Sequence, residues 1–254
     1  MKRALKTGIT GQDGAYLAEF LIEKGYSVYG TYRRLSTPNF WRLQYVNIFD
    51  EVQLIPCDLL DSDSLFEAIK ISKPDEIYNM AAQSFVGASF EQPISSGEIT
   101  GLGVTRLLEV ARKLCPNAKI YQASTSELYG DNNYQSQNEN TPFSPSSPYA
   151  AAKLYAYSMV NLYRDGYGLF ACNGILFNHE SPIRGLEFVT RKITNGVAKI
   201  KLGLQDKLYL GNLDAKRDWG YAKDYVEAMW LILQQKKPDS YVIATNQAYS
   251  IREF

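Results

Sequence analysis

The sequence predicts an α/β fold: a doubly wound parallel sheet covered by helices on both faces, with a smaller substrate-binding region at the C-terminal end. Three observations lead there. Short apolar runs alternate with helical patterns, the runs lie too far apart for hairpins, and the rhythm changes after Phe177. Strands joined through helices need crossovers, which are right-handed and leave the strands parallel. The expected division is 1–177 for the sheet domain and 178–254 for a substrate-binding region that is incomplete at its C-terminal end, with later segments such as 204–246 returning to the core.

In order, "RALKTG" reads as the first strand and is followed by a helix from about Ala15 to Lys24. The strands "YSVYGTY" and "EVQLIPCDL" come next, then a helix from about Ser62 to Ile71. "DEIYNMAA" leads to a helix from about Ile99 to Leu114, and "KIYQAS" to a long loop and a helix opened by Pro148. "LFACNGILF" is the last strand of the regular series. Beyond it come a helix to about Lys201, the segment "LYLGNLDAKRDWGYAKD", a further helix, "SYVIATN", and the beginning of another helix at "YSIREF".

A chain of 254 residues with 45% hydrophobic and 21% charged residues can bury a substantial core. Its 27 basic and 27 acidic residues balance, which argues against a nucleic-acid surface. Cys57, Cys115 and Cys172 form no CxxC and are odd in number, so neither a disulfide framework nor a zinc site is expected. With His179 as the sole histidine, a histidine metal site or a Ser/His/Asp triad is disfavoured, and no metal is expected. No apolar run reaches the length of a signal or membrane helix, so a cytoplasmic location without membrane partners is expected.

"TGITGQDG" sets Gly8, Gly11 and Gly14 between the first strand and the first helix. Glycines there allow a sharp turn, close approach to a pyrophosphate and tight helix packing, while the helix N-terminus favours anions. Thr10, Gln12 and Asp13 lie in the same loop. The second strand ends in Arg33 and Arg34, where an NAD protein carries an acid, and two guanidiniums suit a 2′-phosphate, so NADP is expected over NAD. Asp58 and Leu59 are placed for the adenine, and Ala81, Ala82 and Gln83 for the ribose and nicotinamide. These features describe a Rossmann-type cofactor domain.

In "SPYAAAK", Ser146 or Ser147 can cap a helix that Pro148 begins, putting Tyr149 and Lys153 one turn apart on the same face. The helix N-terminus and the ammonium are both expected to lower the tyrosine pKa, making Tyr149 a base for a hydroxyl proton. Ser124, Thr125 and Glu127 follow the end of the preceding strand, where a hydroxyl can polarise the same substrate oxygen.

The glycine loop, the strand-end hydroxyls and the Tyr-to-Lys spacing resemble the extended short-chain dehydrogenase/reductase family. Within it, "TGITGQDGAYLAEFL", "YQASTSELYG", "SPYAAAKLYA", "FNHESPIRGLEFVTRKI" and "LGNLDAKRDWGYAKDYVEAMW" resemble the GDP-mannose 4,6-dehydratase family over nearly the whole chain. The resemblance implies a redox-neutral, NADP-dependent lyase that makes GDP-4-dehydro-6-deoxy-mannose, within GDP-fucose biosynthesis. It implies Thr125, Glu127, Tyr149 and Lys153 as catalytic residues, with Glu127 removing the C5 proton. It further implies Ser84, Asn178, Glu180, Lys192 and Arg217 as sugar-nucleotide contacts, and His179 and Arg184 as cofactor contacts. "RRLSTPNFWRLQYV" resembles a segment that reaches a neighbouring subunit, so a homodimer or homotetramer is expected, although Phe40 and Trp41 can equally pack locally.

Other readings stay open at this level. One is another nucleotide-sugar dehydrogenase: a dehydratase of a different sugar nucleotide, a 4-epimerase or a 4-keto reductase. Glu127 weighs against the last two, which need no C5 base. A non-enzymatic NADP-sensing protein would not need both Tyr149 and Lys153.

Overall fold

A computed structural model describes residues 1–130 and 136–254; the part of the long loop at 131–135 lies outside the described residues. The strands β1 (Arg3–Thr7), β2 (Ser27–Tyr32), β3 (Gln53–Pro56), β4 (Glu76–Asn79), β5 (Lys119–Ala123), β6 (Ala171–Leu176), β7 (Asn178–Glu180), β8 (Lys216–Tyr221), β9 (Ser240–Ile243) and β10 (Ala248–Ser250) form two sheets. The larger has the order β3-β2-β1-β4-β5-β6-β9, with every pair parallel. The smaller has the order β10-β8-β7, in which β10 runs antiparallel to β8.

The helices are α1 (Gln12–Glu23), α2 (Trp41–Tyr45), α3 (Ser62–Ser72), α4 (Val86–Glu91), α5 (Pro93–Ser96), α6 (Gly103–Leu114), α7 (Pro148–Tyr167), α8 (Val189–Lys201) and α9 (Ala222–Gln234). Successive strand residues point to opposite faces, so each strand feeds two cores. Ala4, Val28, Tyr78 and Tyr121 join the layer with Leu17 and Leu21 of α1 and Met229 and Leu233 of α9. Leu5, Tyr29, Ile77 and Ile120 join the layer with Ile69 of α3, Leu108 of α6 and Val160 of α7. Strands buried on both faces explain why they read as continuous apolar runs.

β1 and β4 are neighbours in the sheet, although β2 and β3 lie between them in sequence. The strand order therefore reverses at β1, opening a crevice beyond its carboxyl end. α9 and β9 pack with this domain: α9 lies on α1, and β9 pairs with β6.

Several boundaries differ from expectation. The helix expected from Ile99 begins earlier, as α5 continues through a π-helical stretch, Gly97–Leu102, into α6. "YSIREF" holds the end of β10 and then the first turn of a helix, as expected: the Ser250 hydroxyl accepts from the Glu253 amide at 3.2 Å, the Glu253 carboxylate accepts from the Ser250 amide at 2.7 Å, and the Phe254 amide donates to the Ser250 carbonyl at 3.2 Å. The five-residue α2 is too short to show a helical period. Phe40 beside it packs edge-on to Tyr32 and against Phe49, while Trp41 stays 44% exposed.

Candidate active site

From Thr7 the chain turns at once through Gly8 into α1. Gly8 has φ +68°, and a Cβ there would stand 3.0 Å from the Ala81 amide nitrogen; a Cβ on Gly14 would come within 2.4 Å of the Gly8 carbonyl oxygen. Both positions require glycine. The Thr7 hydroxyl accepts from the amides of Met80 and Ala81 at 3.1 Å each, tying the loop to the end of β4. Gly11 precedes α1 without a side-chain cap, which leaves first-turn N–H groups for a bound anion.

Gly8, Thr10, Arg33, Asp58, Leu59, Ala81, Ala82 and Gln83 line one cavity of about 330 Å³ at this crevice. Residues from four strand ends thus converge where a cofactor was expected. Arg34 lies with Arg33 on an adjoining cavity, and both are exposed. The Asp58 carboxylate accepts from the Leu60 amide at 3.0 Å and so shapes its own turn. Gln12 is buried: its amide donates to the His179 carbonyl at 3.1 Å and its oxygen accepts from Ser181 at 2.7 Å.

Asp13, Ser84, Thr125, Glu127, Tyr149, Lys153, Asn178, His179 and Arg184 line an inner cavity next to it. The Ser147 hydroxyl caps α7 by accepting from the Ala150 amide at 3.1 Å, which sets Tyr149 and Lys153 at the mouth of the helix, both buried. The Thr125 hydroxyl accepts from the Glu127 amide at 3.2 Å and opens the 3-10 turn Ser126–Tyr129 that carries Glu127. His179 Nε2 lies 2.9 Å from the Asp13 carboxylate, its Nδ1 2.8 Å from the Phe177 carbonyl, and its ring stacks on Tyr225. Burial alone would lower the His179 pKa, but the Asp13 carboxylate prevails and raises it. Burial opposes ionisation of Asp13, yet His179 holds its carboxyl well below the usual range.

The expected lowering of the Tyr149 pKa is not what the packing produces. Burial pushes the phenol above its ordinary value, the Thr125 hydroxyl opposes this, and the Glu127 charge adds to it. Burial pulls Lys153 down to about 8, and its Nζ donates to the Ala123 carbonyl at 2.7 Å. Desolvation outweighs the helix N-terminus here, and a positive charge brought into the cavity by a ligand would move Tyr149 back down.

Beyond Glu127 lies an outer cavity of about 750 Å³, inside the range of roughly 300–1,000 Å³ common to ligand sites. Ser126, Glu127, Phe177 and Asn178 belong to both cavities, so Glu127 stands where they meet. Lys216, Arg217, Asn246 and Gln247 line the far part. Of these only Arg217 was expected, because the others reach the site through the pairing of β8 with β10. Asp218, which could have paired with Arg217, accepts instead from the Thr245 amide and hydroxyl. Glu180 and Lys192 line neither cavity: Glu180 accepts from Thr190 and pairs with Arg184 at 3.3 Å, and Lys192 lies exposed on α8.

The residues fit a dinucleotide. Ser124 Oγ is buried with no hydrogen-bond partner and lines the inner cavity beside Tyr149, and no side chain caps the first turn of α1, where a phosphate would bind. Among the described residues no group of three His, Cys, Asp or Glu side chains could hold a metal, and no helix is long and apolar enough to cross a membrane.

A family described as GDP-mannose 4,6 dehydratase matches residues 5–254. The GDP-mannose 4,6-dehydratase of Yersinia enterocolitica is 53% identical over 261 residues, covering 100% of this chain and 70% of that protein. The GDP-mannose 4,6 dehydratase of Homo sapiens is 55% identical over 259 residues, covering 99% of this chain and 70% of that protein. The solved dTDP-glucose 4,6-dehydratase of Streptomyces venezuelae, with NAD bound, shares the fold at TM-score 0.88 and 24% identity, covering 99% of this chain and 78% of that one.

Proposed function

We infer that this chain, which belongs to the GDP-mannose 4,6-dehydratase family, carries out its elimination with Glu127 as the base. The chain is a hydro-lyase that converts GDP-mannose to GDP-4-dehydro-6-deoxy-mannose. The observation that carries the assignment is the position of Glu127, on the wall shared by the inner cavity with Tyr149 and the outer cavity with Arg217.

Gly8, Thr10, Arg33, Asp58 and Ala81 would hold a nicotinamide dinucleotide, which would supply a hydride acceptor for C4 and a hydride donor for C6. The protein residues handle the protons. Tyr149 takes the proton of the C4 hydroxyl, and Thr125 hydrogen-bonds the same oxygen as it becomes a carbonyl. That carbonyl acidifies C5–H, so the Glu127 carboxylate can remove the proton and pass it to the departing C6 hydroxyl as water. The proton taken by Tyr149 balances the one that C5 regains. Arg217 and Lys216 offer positive charge to the diphosphate.

The cofactor in this reading is NADP, supported by Arg33 at the cofactor cavity and Arg34 beside it. The working form is a homodimer or homotetramer in the cytoplasm. Exposed Ile94, Leu102 and Tyr155 line an apolar groove that a second copy would cover.

Glu127→Gln tests the central assignment. The amide preserves size but cannot act as a carboxylate base. Mixed with GDP-mannose, this variant should accumulate NADPH absorbance and release little product. Release of dehydrated product at the wild-type rate would remove Glu127 from the mechanism.

A further inference from the structure

Several side chains tie the phosphate loop to the segment bearing Arg184, and among them Arg42 reaches in from α2 to bridge the two through their backbone carbonyls. Its Nη1 donates to the Thr10 carbonyl at 3.1 Å and its Nε to the Ile183 carbonyl at 2.8 Å. Thr10 lines the cofactor cavity, and Ile183 immediately precedes Arg184, which lines the inner cavity. Arg42 lines neither. Its guanidinium also lies over the Trp41 ring, 4.4 Å from the centre. Burial disfavours its charge, Glu187 opposes that, and nearby Arg184 adds to the penalty. A guanidinium kept in such surroundings and bonded to two backbones restrains both, because its donors are rigidly spaced.

We propose that Arg42 is a positioning residue of the cofactor site: by joining the Thr10 and Ile183 carbonyls it presents the phosphate loop and Arg184 to the dinucleotide as one preformed site. The inference rests on the reading above that this loop holds a nicotinamide dinucleotide. Preformed sites bind more tightly because less ordering remains to be done on binding. Gln12 runs alongside, bonding to His179 and Ser181, so the loop keeps some restraint when Arg42 is removed.

Isothermal titration of NADP and, separately, of GDP-mannose into the full chain tests this, with wild type, Arg42→Ala and Arg42→Lys compared and thermal midpoints measured alongside. Arg42→Ala should weaken NADP binding about tenfold or more, and Arg42→Lys, which keeps charge but not the fork, should lose most of the same affinity. GDP-mannose affinity should change less than about twofold, and added methylguanidinium should restore part of the NADP affinity of Arg42→Ala. Wild-type NADP affinity in a folded Arg42→Ala, or an equal loss for both ligands, would overturn the proposal. If Arg42→Ala does not fold, wild-type affinity in Arg42→Lys overturns it alone. Failure of the wild type to bind any dinucleotide is a different result, which removes the cofactor reading itself.

Discussion

The Asp218 carboxylate accepts from the Thr245 hydroxyl at 2.9 Å and from its amide at 3.0 and 3.1 Å, leaving the adjacent Arg217 free of it. One buried carboxylate thereby fixes the turn holding Asn246 and Gln247 against β8, with Asn246 in the left-handed region at φ +64°. This turn and Arg217 line the outer cavity together. Asp218→Ala should therefore loosen the turn, raising KM for GDP-mannose about tenfold while kcat falls less than about threefold. Steady-state kinetics with saturating cofactor measures both, and an unchanged KM would show that the anchor does not shape the substrate site.

Tyr149 is buried and its pKa is raised by that burial, so its proton transfer depends on the ligands that fill the cavity. Tyr149→Phe should bind cofactor within about twofold of wild type but lose at least about 100-fold in turnover, the scale of a missing general base. Rapid-mixing absorbance at the NADPH band shows whether C4 oxidation has stopped. Near-normal turnover would assign the proton acceptor elsewhere.

Arg33 lines the cofactor cavity directly, whereas Arg34 lines only the adjoining one. Arg33→Ala should accordingly reduce a preference for NADP over NAD more than Arg34→Ala does. Titration of both cofactors into each variant gives the two ratios, and equal affinities for NADP and NAD in the unmodified protein would exclude the role.

The pair of half-buried Asp13 and buried His179 makes stability depend on pH. The Asp13 pKa is depressed below 3.8, so its contribution is present above that value and is lost as pH falls through the folded-state pKa. The His179 pKa is raised above 6.5, so its contribution is full below that value and is lost as pH rises through the folded-state pKa. Denaturant unfolding of wild type and Asp13→Asn should differ most between these two values, with the difference shrinking on either side. A pH-independent difference would show that the pair is not ionised as described.

The fold was legible because it rests on periodicity and glycine chemistry: strands buried on both faces are continuous apolar runs, and only glycine fits at Gly8 and Gly14. The residues gathered at the site were legible for a related reason, since strand ends in a doubly wound sheet converge on one crevice. Side-chain commitments were not. That Lys153 donates to Ala123 and that Arg42 bridges two carbonyls depend on distant segments meeting, and that Glu180 is held by nearby Thr190 and Arg184 depends on the irregular path of the chain between them. The direction of the Tyr149 pKa was missed because local charge can be read from a short motif, whereas burial depends on the completed fold.

The most direct test of the account follows the sugar itself. The chain is incubated with NADP and GDP-mannose deuterated at C4, and the nucleotide sugar is examined by mass spectrometry and NMR. The account predicts a product lighter by one water, with the label moved from C4 to C6. A product of unchanged mass, or a dehydrated product without label at C6, would contradict it.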